Sequence, residues 1–156
     1  MFRTILAITF FGFILGGCAS SKRLFGDQDP VPADFGKEPT TVLVIRSEQN
    51  KVNKALENAF QKYYTGPFEL IDQKDLTTNK YSDTKKYRYC FRTKIQFKAA
   101  SGMGNTRMPA TNNYSYDVLD RVTAKVNSLD YYGGAYKGLM EAYVKKLEET
   151  RTANSK

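Results

Sequence analysis

The chain has no histidine and no tryptophan in its 156 residues, and only two cysteines, Cys18 and Cys90. Without histidine, the commonest general base near neutral pH and the commonest metal ligand are both missing. Catalysis by a Ser-His or Cys-His pair is thereby excluded. No group of residues has metal-ligand spacing, and no motif calls for a cofactor. A long hydrophobic run is missing too: Ile5–Leu15 is about eleven residues, short of the roughly 20 that a spanning helix needs. No internal repeat is visible.

What is present is most specific at the start. Arg3 gives one early positive charge, Ile5–Leu15 is almost wholly apolar, and Gly16 and Gly17 are small. This order is that of a secretory signal peptide. The four residues Leu15-Gly16-Gly17-Cys18 resemble the lipobox of bacterial lipoproteins. That resemblance implies diacylation of the Cys18 thiol with palmitate-like chains, cleavage before Cys18, and a third chain on the new amino group. Two or more acyl chains give lasting membrane attachment. Ala19 stands where an aspartate would signal inner-membrane retention in the enteric sorting rule, so the resemblance implies the outer membrane. With Cys18 acylated, Cys90 is the sole thiol and no intramolecular disulfide forms.

Removal of residues 1–17 takes away Arg3 and lowers the formal net charge from +8 to +7. A basic domain suits an anionic partner such as lipid headgroups, lipopolysaccharide, another acidic polymer or an acidic protein face. Nucleic acid fits the charge but not the secretion signal. The plainer reading is that the excess charge keeps the domain soluble.

Residues 18–39 read as the lipidated N-terminus and a flexible tether, because residues 19–39 hold three prolines and two glycines with little periodicity. Such a coil of about 20 residues reaches roughly 25 Å and lets the domain float off the bilayer. The alternative is that Phe25 and Phe35 dock on the membrane or the domain.

A domain is expected over residues 40–150. "TTVLVIRS" (40–47) is a β-branched run suited to a strand buried on both faces. Val52, Ala55, Leu56, Ala59, Phe60, Tyr63 and Tyr64 then form one helical stripe, with Ser47 as N-cap and Gly66-Pro67 as the stop. "PFELID" (67–72) is a second strand, parallel to the first by the crossover rule. Residues 73–85 are polar loop or short helical turn. In "KYRYCFRTKIQFK" (86–98), Tyr87, Tyr89, Phe91, Thr93, Ile95 and Phe97 alternate with Arg88, Cys90, Arg92, Lys94, Gln96 and Lys98, so one face packs and the other meets solvent or a partner. Residues 99–113 read as a long mobile loop, 113–120 as a strand, 120–125 as a tight turn and 126–129 as a short strand. Tyr132, Ala135, Tyr136, Leu139, Met140, Tyr143, Val144 and Leu147 form a second helical stripe, and the tail, residues 151–156, frays.

The expected fold is therefore a single α+β domain of order β-α-β-β-β-(β)-α, a mixed sheet with two helices packed on one face. "TVLVIRS", "KYRYCFRTKIQFK" and "YDVLDRVTAK" resemble small envelope lipoproteins of Gram-negative bacteria, and the element order is similar to α+β domains of assembly-factor and secretion-accessory lipoproteins.

Four cations on the polar strand face, Arg88, Arg92, Lys94 and Lys98, are the candidate anion-binding face. They could track an anionic polymer, or simply be solvated. Cys90 lies between Arg88 and Arg92, and nearby cations lower a thiol's pKa. It is the candidate reactive thiol, against the plainer reading of a partly covered, inert one. Ser82-Asp83-Thr84-Lys85 matches the S-x-x-K spacing of serine acyl enzymes without the companion motifs. Asp117 and Asp120 fall on opposite strand faces, and Gly102-Met103-Gly104 opens no helix that would hold a phosphate. These readings favour a non-enzymatic, membrane-anchored binding or assembly module for another envelope component. The alternatives are a thiol- or serine-dependent envelope enzyme and an adaptor for anionic glycans.

Overall fold

The computed structural model describes residues 25, 29–103, 106–129 and 136–155. The signal peptide, Cys18, Gly104, Tyr132 and Ala135 lie outside the described residues. Among the described residues no helix is long and apolar enough to cross a membrane.

The elements are β1 (Val42–Ile45), α1 (Asn50–Tyr63), β2 (Phe68–Ile71), two 3-10 turns (Gln73–Thr77 and Asn79–Tyr81), β3 (Tyr89–Lys98), β4 (Ser101–Met103), β5 (Thr106–Met108), β6 (Thr111–Asp120), β7 (Val126–Ser128) and α2 (Tyr136–Asn154). Five strands form one mixed sheet in the order β2-β1-β3-β6-β7. β1 runs parallel to β2 and β3, while β3 with β6 and β6 with β7 are antiparallel. The β1-α1-β2 unit is thus the expected crossover. β1 is buried at all four positions, as its unbroken apolar run requires when both neighbours and both faces are covered.

Both helices pack on one face. Leu56 and Phe60 from α1 and Met140, Tyr143, Val144 and Leu147 from α2 are fully buried against Val42, Val44, Tyr89, Phe91, Tyr116 and Val118. Aromatic rings fill this layer: Phe91 stacks on Tyr116 at 5.6 Å and meets Phe60 edge-on at 5.3 Å. Such pairs add about 0.5–1.5 kcal/mol each beyond the area they bury.

Several expectations need correction. Residues 25 and 29–39 follow the docked alternative and not the flexible tether: Phe25, Val31 and Phe35 belong to the main core. Phe25 meets Tyr143 edge-on at 5.5 Å, and Phe35 lies 4.9 Å from Tyr89. Burying one such ring stabilises by about 1.5–3 kcal/mol, which offsets the ordering of only one or two residues at about 1–2 kcal/mol each, so the stretch needs its several buried side chains and hydrogen bonds together. The tail does not fray at 151, because α2 runs on to Asn154. Asn154 donates to the carbonyls of Ala33 and Phe35 at 2.9 and 2.8 Å, so the two chain ends hold one another. Gly36 permits that contact. Its φ is +91°, and a Cβ there would lie 2.5 Å from the Arg151 Cα.

α1 starts two residues late for Ser47 to cap it. Gln49 holds the N-cap position, and Ser47 instead pairs with Asn53: its amide and hydroxyl donate to Asn53 Oδ1 at 2.8 and 3.1 Å, and Asn53 Nδ2 donates back to its carbonyl at 2.9 Å. The stretch expected to be a mobile loop contains a two-stranded hairpin, β4 with β5. Tyr87 precedes β3, so strand alternation does not govern it, and it packs with Tyr81 and Cys90 on the face away from the helices.

Candidate functional site

The four candidate cations do not form a free row. β3 and β6 pair over their whole length, with Arg92 opposite Asp117 and Tyr89 opposite Asp120. Arg92 forks onto Asp117, with Nε donating to Oδ1 at 2.7 Å and Nη2 to Oδ2 at 3.0 Å. Lys94 Nζ reaches the same carboxylate at 2.8 Å. Asp117 is fully buried, whereas the lysine side chain is 46% exposed. One enclosed anion therefore holds two cations, a charge-assisted arrangement stronger than neutral hydrogen bonds.

Arg88 is committed at the other end of the strand. It forks onto Asp120, Nε at 3.1 Å and Nη2 at 2.8 Å, and also bonds Asp34 from the docked N-terminal stretch. Burial alone would push the Asp120 carboxyl up. The Arg88 guanidinium and the backbone amides of Val122 and Thr123 outweigh it and bring the pKa to about 2. Arg88 thus joins the N-terminal segment, β3 and the β6–β7 turn. Lys98 is exposed at the end of β3 and has no ion-pair partner among the described residues. Of the expected anion-binding face, three cations are neutralised internally and one remains. The sequence placed Asp117 and Asp120 in view, but only the β3–β6 register brings them onto the arginines.

Cys90, weighed above as a reactive thiol or a covered one, is placed as the covered one. It is fully buried with Leu43, Ile45, Ile71, Tyr81 and Tyr87 in a second apolar cluster on the far side of the sheet. Burial pushes its thiol up to about 11, against the opposing pull of Arg121 and Arg92. The two 3-10 turns provide this cover. Arg121 fastens them by donating to the carbonyls of Tyr87 and Tyr81 at 3.0 and 2.8 Å. Glu69 accepts from Lys80 at 2.7 Å and from the Tyr81 hydroxyl at 3.0 Å. The Ser82 hydroxyl donates to the Asn79 carbonyl at 2.8 Å, and Asp83 takes the amides of Lys85 and Lys86. The S-x-x-K residues therefore build a turn rather than a helical acyl-transfer pair.

An open cleft of about 310 Å³ lies where the two chain ends meet, between Phe35, Glu38, Thr40, Tyr64, Pro67 and Arg151. Its arginine is already engaged: Nε and Nη2 donate to Glu148 at 2.9 and 2.7 Å, and Nη2 also donates to Thr65. Among the described residues no three histidine, cysteine or acidic side chains gather as a metal site would require.

One surface feature was hidden by the alternation. Phe97 is 67% exposed and Met108 is 65% exposed. Phe97 shares a strand face with the buried Tyr89 and Phe91, but the helix layer ends before it. Tyr136, the first residue of α2, lies 5.0 Å from Tyr114, which is opposite Ile95. Beyond that point β3, β6 and the β4–β5 hairpin form an arm that no other element among the described residues covers.

No protein-family model and no curated protein matches the chain. Among solved structures, the PelC dodecamer from Paraburkholderia phytofirmans is similar to it with a TM-score of 0.44 and 10% identity, covering 75% of this chain and 91% of that one. A likeness so slight carries no argument about partners or assembly, and the chain's fold class rests on its own elements.

Proposed function

We propose that this chain is a lipid-anchored protein of the bacterial envelope, acylated at Cys18, whose α+β domain binds another envelope component without catalysing a reaction on it. The observation that carries this reading is the docking of Phe25 in the domain core, seven residues after the lipobox cysteine. A fully extended chain of that length spans at most about 25 Å. The domain would therefore be held against the membrane surface as a fixed platform rather than floating on a long leash. The outer membrane is the proposed site, from Ala19 in the position that sorts enteric lipoproteins.

The binding role is supported by where the ionisable groups went. Arg88, Arg92 and Lys94 are paired with Asp34, Asp120 and Asp117, and the only described thiol is enclosed with a raised pKa. These are structural employments. The same pairing weakens the glycan-adaptor alternative, since three cations of its contact row face an internal anion.

Intact-mass measurement of the mature chain tests the anchor. The expected result is the mass of acyl chains beginning at Cys18 and their loss in Cys18→Ala. An unmodified thiol would sink the proposal. Crosslinking in intact envelopes, followed by identification of the joined peptides, tests the binding role.

A further inference from the structure

We propose that the projecting β3–β6 arm is a second membrane contact, with Phe97 and Met108 entering the interface of an anionic bilayer while Lys98 and Arg107 meet its phosphates. The inference rests on the lipid anchor proposed above and specifies which surface of the domain faces the membrane.

Three observations converge. The first is composition. From Lys94 to Tyr116 there is no aspartate or glutamate, while Lys94, Lys98 and Arg107 are all cationic. Phe97, Lys98, Arg107 and Met108 are all exposed. Exposed large apolar side chains that alternate along the strands with cations lacking an ion-pair partner among the described residues suit the boundary between anionic headgroups and acyl chains.

The second is that no element among the described residues covers the arm. β3 and β6 pair out to Lys98 and Thr111, but α2 begins level with Tyr114. The arm extends the sheet about three residues, or roughly 10 Å, past its helix layer.

The third is the direction of the docked N-terminal stretch. Phe25 packs on Tyr143, Asp29 lies 3.9 Å from Lys146, and Ala33 and Phe35 bond to Asn154. With increasing residue number, this stretch advances along α2 from its middle to its C-terminus. Falling residue numbers along α2 from Tyr143 lead to Tyr136, beside which the arm begins. From Tyr143 back to Tyr136 is about 10 Å along the helix, within the roughly 25 Å that seven residues can span. The acylated cysteine and the arm can thus meet one bilayer together, and two attachments fix an orientation that a single anchor leaves free.

The chain's lack of tryptophan makes the test clean. The full mature, acylated chain carrying Phe97→Trp is placed on phosphatidylcholine vesicles with and without phosphatidylglycerol, some containing brominated acyl chains. The expected result is an indole emission shifted to shorter wavelength and quenched by bromine when phosphatidylglycerol is present. Lys98→Gln or Arg107→Gln should each lower the inserted-to-free ratio about fivefold, matching about 1 kcal/mol per basic side chain near an anionic surface. Met108→Trp provides a second probe from the neighbouring hairpin strand.

If the chain floats with vesicles while both indoles stay solvent-like and unquenched, the proposal is wrong and the anchor stands. If the emission shifts without lipid and follows protein concentration, the arm meets a second copy of the chain and the proposal is again wrong. If mass measurement finds no acyl chains, the anchor reading fails, and quenching by added anionic vesicles still decides the arm.

Discussion

Replacing Asp117 by alanine tests whether the β3–β6 ion pairs hold the sheet or merely decorate it. The carboxylate is fully buried and accepts from Arg92 at 2.7 and 3.0 Å and from Lys94 at 2.8 Å. Stranding a fully buried partner costs about 3–5 kcal/mol, but that is an upper bound here. The Arg92 side chain is 28% exposed and that of Lys94 is 46% exposed, so both can turn to water. Allowing about 1 kcal/mol for each arginine bond and about 0.5 kcal/mol for the half-exposed lysine gives a loss of about 2.5 kcal/mol. For a domain of this size that corresponds to a Tm lower by about 8 °C. Urea and thermal unfolding of Asp117→Ala, Arg92→Ala, Lys94→Ala and the Arg92→Ala/Asp117→Ala double variant provide the cycle. Lys94→Ala should cost less than about 1 kcal/mol, and the arginine pair should couple by more than about 1 kcal/mol. The freed cations of Asp117→Ala should also raise the salt needed to elute the protein from an anionic resin. Zero coupling, or an Asp117→Ala no less stable than Lys94→Ala, would refute the reasoning.

Acid should weaken the pair between Arg88 and Asp120. The folded pKa of Asp120 lies at about 2, below its ordinary value, so its contribution is present above about pH 4 and is lost as pH falls from about 4 to 2; Asp120→Asn should flatten that part of the stability profile, and an unchanged profile would count against the Arg88 latch. The Cys90 thiol, raised to about 11 by burial, should react with a thiol reagent only in urea, whereas rapid labelling of the native chain would show that the second cluster is open. Gly36→Ala forces a Cβ to within 2.5 Å of the Arg151 Cα at a φ of +91°; it should cost roughly 2–4 kcal/mol and make the stretch around Phe35 sensitive to protease, and a wild-type unfolding midpoint would mean the two chain ends do not pack as described.

The elements that sequence periodicity revealed are those whose burial is decided locally. The α1 stripe from Val52 to Tyr64 faces one layer, and β1 is apolar at every position because it is covered on all sides. The docked N-terminal stretch was legible only as an alternative, through Phe25 and Phe35, because proline and glycine speak only to backbone habit. Whether Val31 and Phe35 find a partner depends on a groove that exists only once α1 and α2 are packed. The polar face of β3 failed for the same reason. Arg92 looks solvated until β6 sets Asp117 opposite it, and which residue stands opposite is a matter of register. Cys90 reads as reactive or partly covered between two arginines, and the 3-10 turns, from a stretch read as polar loop or short helical turn, cover it fully with Tyr81 and Tyr87.

Phe97 shows where alternation stops being informative. A period of two states which residues share a face; it does not state how far along the strand that face is covered. β3 and β6 are each ten residues long, roughly 33 Å of strand, and α2 covers them only as far as Tyr114 and Ile95. Tyr89 and Phe97 obey the same rule, yet one is fully buried and the other is 67% exposed. The difference is in the cover above them. Charge held the missing clue: acids at 117 and 120 answer Arg92, Lys94 and Arg88 where the sheet is covered, and among the described residues none answers Lys98 or Arg107 beyond it. A basic run with internal counter-ions is structural, and the same run without them is left for an outside anion. That contrast within one strand argues for reading the covered part of β3 as scaffold and its projecting end as the contact surface.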